Sequence, residues 1–166
     1  MIPNPMQKIN RTSRKAVITG MGIICSLGNN RQEIFENVRK ATCGIKKVKL
    51  FNLDKLVTQM GGEVENLPSD FPEEIKDRTV QLAYLAMREA IEDSGLDIKE
   101  EDPYRCALSF GTCNGNILTL EEIYDNNLND EKINLSSIYQ NNFLAIDYLN
   151  KKLNIHGAKM IFVTAC

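Results

Sequence analysis

The chain has 166 residues, with 20 lysines and arginines against 22 aspartates and glutamates and a formal net charge of −2. Apolar residues make up 43% and charged residues 25% of it, which is typical of a globular protein and excludes wholesale disorder. No apolar run approaches the roughly 18 residues that cross a membrane, and the charge balance argues against nucleic-acid binding through a basic surface. By length alone, one domain with a substantial core is predicted.

Residues 1–13 are mostly polar, contain two prolines and lack an apolar stretch. We therefore predict a flexible leader there, not a secretory signal. The five cysteines include no C-x-x-C pair and have no histidine spaced for zinc; they are Cys25, Cys43, Cys106, Cys113 and Cys166. Their odd number and spacing predict reduced thiols, a cytoplasmic protein and no metal site.

Three stretches are near-continuous in small or apolar residues, which favours parallel strands that are covered on both faces. They are Ala16–Thr19, Tyr104–Phe110 and Lys159–Thr164, and Gln59–Val64 is a weaker extended stretch. Apolar residues at helical spacing predict helices over Arg31–Ala41, Asp77–Ser94, Asn116–Leu128 and Asn142–Leu153. Strands that alternate with helices imply βαβ units, and hence an α/β fold with a mainly parallel sheet.

Local signals define the ends of two helices. Asn30 is predicted to cap the first helix, with Glu33 as its reciprocal partner, and Gly95 to end the second. The first helix also carries four apolar residues on one face, namely Ile34, Phe35, Val38 and Ala41. The charge run Asp97–Asp102 is predicted to be a solvated linker.

Two glycine-bearing turns follow predicted strands. Thr19–Gly22 partly matches a dinucleotide-binding fingerprint, but the position of its third glycine is Cys25, so a tight structural turn is favoured. Gly111–Asn116 is a small polar loop at the carboxyl end of a predicted parallel strand, where ligands gather in open α/β sheets. A role beside a pocket and a plain strand-to-helix turn are both open for this loop.

A small basic cluster is formed by Lys46, Lys47 and Lys49. It offers a docking surface for an acidic partner by electrostatic complementarity, although a solvated surface is the more usual role of such a run.

The only histidine is His156, and a strand over Lys159–Thr164 would separate it from Cys166 by roughly 25–30 Å. The two cannot form a dyad, because a dyad needs hydrogen-bond distance. His156 is instead predicted to lie in a surface turn. Cys166 follows a buried strand, where a helix would ordinarily begin and lower the thiol pKa. This is a nucleophile position, although a buried structural cysteine is the commoner case.

Four blocks, in order, resemble the β-ketoacyl-acyl carrier protein synthases, the type I/II ketosynthases of the thiolase-like superfamily. They are Arg14–Gly28 (RKAVITGMGIICSLG), Leu85–Leu96 (LAMREAIEDSGL), Arg105–Gly115 (RCALSFGTCNG) and Gly157–Cys166 (GAKMIFVTAC). The resemblance spans nearly everything after the leader. By this resemblance, residues 14–166 are the N-terminal portion of a ketosynthase and end at its active-site cysteine.

The sequence departs from the family pattern at three places. Cys25-Ser26 stands where the family usually has Ser-Pro, and Ala158 stands where it usually has Pro. Asn114 stands where fatty-acid enzymes often have an apolar residue that lines the acyl pocket. This makes Asn114 a candidate substrate-binding residue and favours a polyketide or polyene substrate.

The resemblance implies the N-terminal half of a thiolase-like α-β-α layered fold and a decarboxylative Claisen condensation on acyl carrier protein thioesters. Cys166 would be the nucleophile, no cofactor or metal is implied, and family members are usually homodimers. Two further histidines of the family belong to its C-terminal half, so the 166 residues alone are expected to be inactive. The alternative is a non-catalytic, truncated interaction module. A coenzyme A-dependent thiolase is disfavoured by the T-G-x-G opening.

Overall fold

The computed structural model describes residues 15–67, 77–115, 117, 120–121, 124–125 and 146–163. In chain order the elements are α1 (Arg31–Arg39), β1 (Ile45–Lys47), β2 (Met60–Gly62), α2 (Arg78–Ser94), β3 (Leu108–Thr112) and β4 (Lys159–Val163). Residues 146–153 are also helical, as are the described positions 117, 120–121 and 124–125. The predicted leader lies outside the described residues.

The strands form two separate two-stranded sheets. β3 and β4 are parallel, with Leu108 opposite Lys159 and Thr112 opposite Val163. The stretch between these strands includes the 146–153 helix, which makes a βαβ unit. β1 and β2 form an antiparallel pair. The predicted α/β class is confirmed, and β1 is a strand that the sequence patterns did not indicate.

The main core lies between the β3–β4 sheet and the helices. Its buried members are Leu108 of β3, Ile146 and Leu149 of the 146–153 helix, and Ile155. From α2, the side chains of Ala83, Tyr84 and Met87 pack against this cluster. Leu149 is fully buried at 0% exposure, so this helix anchors the core.

Helix α2 begins and ends as predicted. The Asp77 side chain accepts a hydrogen bond from the Val80 backbone N–H at 3.0 Å and caps the helix. Gly95 takes a left-handed φ of 66° at the C-terminus, a conformation that glycine adopts without a Cβ penalty.

Helix α1 is capped by Asn30 as predicted, and its apolar face is largely exposed. The Asn30 side chain accepts a hydrogen bond from the Glu33 backbone N–H at 2.9 Å. The Glu33 carboxylate accepts from the backbone N–H of Asn29, and not from that of Asn30 as a reciprocal cap would require. Ile34 is buried, but Phe35 and Val38 are 64% and 57% exposed. Of these three residues on the apolar face of α1, only Ile34 is therefore buried.

The predicted strand Ala16–Thr19 is not a strand in the structure. Val17 and Ile18 are 75% and 83% exposed, and no described strand pairs with this stretch. The β3 prediction began too early, because residues 103–105 form a turn in which the Asp102 carboxylate accepts from the Tyr104 backbone N–H at 3.0 Å. β2 and β4 lie within their predicted stretches.

Candidate active site

The carboxyl ends of β3 and β4 lie side by side. Thr112, the last residue of β3, is the register partner of Val163, the last residue of β4. In a parallel sheet, the loops that follow neighbouring strands emerge at the same edge, which is where ligands bind in open α/β folds. Asn114 follows β3 by two residues and is exposed. Cys166 follows β4 by three residues and lies outside the described residues.

The loop after β3 is held by two threonine hydroxyls. The Thr112 hydroxyl accepts from the Gly115 backbone N–H at 3.0 Å, and the Thr79 hydroxyl donates to the Gly115 carbonyl at 3.0 Å. Gly115 has a φ of 61°, which closes the turn and favours glycine. The loop is thereby attached to the first turn of α2, and it presents Cys113 and Asn114 at the surface. Sequence reasoning missed Thr79, because no local pattern signals a contact over 36 positions.

His156 lies at the other end of β4. Its backbone N–H donates to the Pro103 carbonyl at 2.8 Å, and its ring stands edge-on to Tyr104, with centroids 5.3 Å apart. It is exposed and precedes the first residue of β4 by three positions, which confirms the predicted surface turn. The strand itself adds about 13 Å between its first and last residues. Among the described residues, therefore, no imidazole stands at the carboxyl edge of the sheet.

The two glycines of Thr19–Gly22 are packing positions. A Cβ at Gly20 would lie 2.1 Å from the Ala90 carbonyl oxygen, and one at Gly22 would lie 1.9 Å from that of Ala86. The segment contains no assigned turn, so the prediction of a tight turn was wrong. Helix α2 occupies the space that a bound pyrophosphate would need against these glycines, which agrees with the rejection of a nucleotide site.

Two carboxylates of α2 hold this glycine segment. Asp93 accepts from the Met21 backbone N–H at 3.0 Å, and Glu89 accepts from those of Ile23 at 2.9 Å and Arg31 at 2.8 Å. The Arg31 guanidinium donates to Asp93 at 2.6 Å. The Met21 N–H, and after it the Arg31 side chain, holds the pKa of Asp93 below its usual value. Sequence reasoning missed this network, although the i, i+4 spacing of the two carboxylates on α2 was visible.

The basic cluster is partly neutralised within the chain. Glu65 pairs with Lys49 at 3.0 Å and with Lys46 at 3.7 Å, and Glu63 accepts from the Lys49 backbone N–H at 2.7 Å. The hydrogen bond from Lys49 lowers the pKa of Glu65, and the same contact raises that of Lys49. Docking of an acidic partner at these lysines stays a prediction, and such a partner would compete with Glu65.

Four of the five cysteines lie among the described residues, and all four are free thiols: Cys25, Cys43, Cys106 and Cys113. Within the described ranges, no helix is both long and apolar enough to cross a membrane. The same part of the chain contains no group of three or more histidine, cysteine, aspartate or glutamate side chains arranged to hold a metal ion.

The family model described as beta-ketoacyl synthase, N-terminal domain, matches residues 13–166. The chain belongs to the beta-ketoacyl synthase family. This match confirms the resemblance carried by the four sequence blocks. The matched range includes the Gly20 and Gly22 segment that packs on α2, and it extends to Cys166.

Curated relatives agree with this family assignment. The chain is 28% identical over 161 residues to the 3-oxoacyl-acyl-carrier-protein synthase 2 of Coxiella burnetii, a match that covers 92% of the chain and 39% of the relative. It is 32% identical over 117 residues to a putative polyketide beta-ketoacyl synthase 1 of Streptomyces halstedii, covering 68% of the chain and 28% of that relative. The ketosynthase chain thus spans two fifths or less of the length of these relatives.

A solved structure shows the same fold. The ishigamide ketosynthase/chain length factor superposes on 88% of this chain and 39% of its own, with a TM-score of 0.72 at 18% sequence identity. The predicted thiolase-like α/β architecture is therefore confirmed. At this identity the likeness is one of fold alone.

Proposed function

We propose that this chain is the N-terminal, nucleophile-bearing part of a ketosynthase that condenses acyl groups on acyl carrier protein, with Cys166 as the nucleophile. The main support is the family match, which extends to Cys166, together with the register of β3 and β4. That register aligns the ends of the two strands, so β4 ends at the edge of the sheet from which the Asn114 loop emerges.

In the first step, the Cys166 thiolate attacks the carbonyl carbon of an acyl thioester on the carrier protein. The new C–S bond replaces the bond to the carrier's sulfur, and the carrier thiol leaves with the proton given up by Cys166. In the second step, malonyl carrier protein loses CO₂, and the resulting carbanion attacks the acyl-enzyme carbonyl. The C–S bond to Cys166 breaks, and the lengthened β-ketoacyl group stays on the carrier. The released Cys166 thiolate takes up a proton from water, which restores the starting thiol. Covalent catalysis of this kind replaces one difficult step by two easier ones.

Asn114 is proposed to contact the acyl chain. Its loop is attached to β3 and α2 through hydrogen bonds of Thr112 and Thr79 to the Gly115 backbone, which fixes the main chain next to Asn114. An exposed amide at the sheet edge suits an acyl chain that carries polar groups or double bonds better than a long saturated one. We therefore propose a polyketide or polyene substrate. We also propose that the complete protein is a cytoplasmic homodimer, as family members usually are homodimers.

We further propose that the 166-residue polypeptide acting alone does not catalyse condensation. The only imidazole in its sequence is that of His156, which stands at the amino end of β4. No imidazole at the carboxyl edge would then activate the thiol or stabilise the thioester oxygen, two roles that support efficient turnover. The histidines for this role would come from the part of the relatives that the chain does not match.

Acyl transfer can be tested on the chain itself by mass spectrometry after incubation with an acyl carrier protein thioester. The expected result is slow acylation at Cys166, because thiol–thioester exchange needs only a thiolate. Cys166→Ala should abolish the added mass, whereas the matched variant Cys113→Ala should keep it, since Cys113 is another exposed cysteine near the same edge. Label on Cys113 alone, or no label at all, contradicts the assignment of Cys166.

Condensation is tested separately by supplying both the acyl and the malonyl carrier protein and measuring release of CO₂. The chain alone is expected to stay at the rate of the enzyme-free control. Turnover above that control would contradict the proposed need for the remaining part. An interaction module without chemistry predicts neither acylation nor CO₂ release but retained binding of the carrier protein.

A further inference from the structure

Two cysteines line one cavity beside helix α1. The cavity has a volume of about 200 Å³, and both Cys25 and Cys43 contribute to its lining. Cys25 is half-buried, whereas Cys43 is exposed. Neither thiol has a part in the proposed acyl transfer, which is assigned to Cys166. Two thiols can form a disulfide only if their backbones come close, so the contacts of the two segments decide whether these can meet.

Cys25 begins a turn that is attached to α1. Its backbone N–H donates to the Gly28 carbonyl at 3.0 Å, and its carbonyl accepts from the Gly28 N–H at 3.1 Å. The Cys25 sulfur accepts from the Leu27 backbone N–H at 3.4 Å, which holds the thiol at the turn. The Asn37 side chain donates to the Leu27 carbonyl at 2.7 Å. The turn is therefore fixed to the C-terminal part of α1.

The chain returns to this turn directly after α1. Ala41 has a left-handed φ of 53°, and the Thr42 backbone N–H donates to the Asn37 carbonyl at 2.9 Å. Gly44 then lies against the turn, because a Cβ there would be 2.5 Å from the Ser26 hydroxyl oxygen. Ser26 and Gly44 each follow one of the two cysteines in the sequence. This close contact brings the two cysteine-bearing segments together at the cavity.

We propose that Cys25 and Cys43 form a reversible disulfide when the protein meets a peroxide. The exposed Cys43 reacts first: its sulfur attacks one peroxide oxygen, the O–O bond breaks, and the departing hydroxide leaves as water with the thiol proton, which yields a sulfenic acid. The Cys25 sulfur then attacks that of Cys43, the S–O bond breaks, and a second water leaves with the proton of Cys25. The two thiols lose two electrons in total, and the peroxide gains them. A dithiol reverses the reaction by thiol–disulfide exchange.

The bond would act as a redox switch on α1. It encloses residues 26–42, and with them the whole of α1, in a covalent loop that restricts the unfolded chain and so stabilises the folded one. Disulfides of cytoplasmic proteins are usually transient and redox-sensing, which agrees with the proposed location and with two thiols that are free in the structure. The proposal concerns only Cys25 and Cys43 and does not depend on acyl transfer at Cys166.

The test treats the full chain with an equimolar amount of hydrogen peroxide, blocks the remaining thiols and digests the protein with trypsin without reduction. Peptides 16–31 and 41–46 carry the two cysteines. We expect them to appear in the mass spectrum as one cross-linked species, lighter than their sum by two hydrogen atoms. The oxidised chain should also have a Tm roughly 5 °C or more above that of the reduced chain, because the cross-link constrains the unfolded state. Dithiothreitol should reverse both changes.

Matched serine variants separate this bond from other thiol chemistry. Cys25→Ser and Cys43→Ser should each lose the cross-link and the rise in Tm, whereas Cys113→Ser, at another exposed cysteine, should keep both. Serine is the family's usual residue at position 25, so Cys25→Ser is expected to fold as the parent chain does. Absence of the cross-linked species, a bond from Cys43 to Cys113 or Cys166 in its place, or a disulfide between two chains overturns the proposal. Equal Tm values for the oxidised and reduced chains overturn the switch on α1.

Discussion

Helix α2 contacts two regions of the chain in different ways. Towards the 20–23 segment it presents backbone carbonyls against glycines and carboxylates against backbone N–H groups. Towards the sheet it presents Ala83, Tyr84 and Met87 against apolar side chains around Leu149. We call the first region the glycine clamp and the second the core. The core gains stability from buried area, whereas the clamp depends on close approach and on charge, so the two should respond to different perturbations.

The largest effect is expected from a cavity in the core. Leu149→Ala should lower the free energy of unfolding by about 2–5 kcal/mol, because Leu149 is fully buried at 0% exposure and its neighbours can collapse only in part. Urea denaturation of the purified chain measures this loss. Phe35→Ala, which removes a larger but 64% exposed side chain, is the control and should cost far less. Similar losses for the two variants would show that the core is not where the structure has it.

A methyl group in the clamp should have the next largest effect. Gly22→Ala places a Cβ 1.9 Å from the Ala86 carbonyl oxygen, so the segment or α2 must move, at a cost of about 1–3 kcal/mol. The same measurement on Gly111→Ala is the matched control, because a Cβ at Gly111 meets nothing within 4 Å and should be tolerated. If both glycines accept alanine equally well, the clamp is not a close contact.

Removing a charge from the clamp should lower the free energy of unfolding by less than the Gly22→Ala variant does. Glu89→Gln keeps the size of the side chain but leaves an amide NH₂ facing a backbone N–H of Ile23 or Arg31. We expect this variant to lower the free energy of unfolding by about 1–2 kcal/mol. Glu92→Gln, one turn from the clamp and on the exposed side of α2, should change stability by less than about 0.5 kcal/mol. A larger loss for Glu92→Gln than for Glu89→Gln would contradict the clamp geometry.

The difference between these regions also explains what could be predicted from the sequence. The bounds of α2 to within one residue and its C-terminal cap followed from its apolar period and from Gly95, because these signals act within a few residues; the N-cap role of Asp77 was not predicted. The Ala16–Thr19 strand failed because strand formation needs a neighbour, and none of the described strands pairs with it. The clamp was invisible because it joins residues 66–72 positions apart, which periodicity does not report.

In the candidate site, too, the local features could be predicted from the sequence and the long-range contacts could not. The strand-end rule predicted where the Asn114 loop would lie, because the end of a strand is a local feature. The attachment of that loop to α2 through Thr79 depends on a contact over 36 positions and was not predicted. The partial neutralisation of Lys46 and Lys49 by Glu65 was also missed, because the pairing of β1 with β2 brings these charges together.

The smallest expected effect is a dependence on pH of the stability that Asp93 contributes in the clamp. The pKa of Asp93 lies below the 3.8 of an ordinary aspartate, chiefly because the carboxylate accepts from the Met21 N–H and then because Arg31 is near. A lowered folded-state pKa means that Asp93 contributes its full stabilisation above the unfolded-state value and loses it as the pH falls through the folded-state pKa. The difference in unfolding free energy between the parent chain and Asp93→Asn should therefore be constant near neutral pH and shrink below about pH 4. Carboxyl NMR titration gives the pKa directly, and in Arg31→Met it should stay below the ordinary value, because the Met21 N–H remains. A return to the ordinary value in Arg31→Met would assign the shift to the ion pair and not to the backbone contact that defines the clamp.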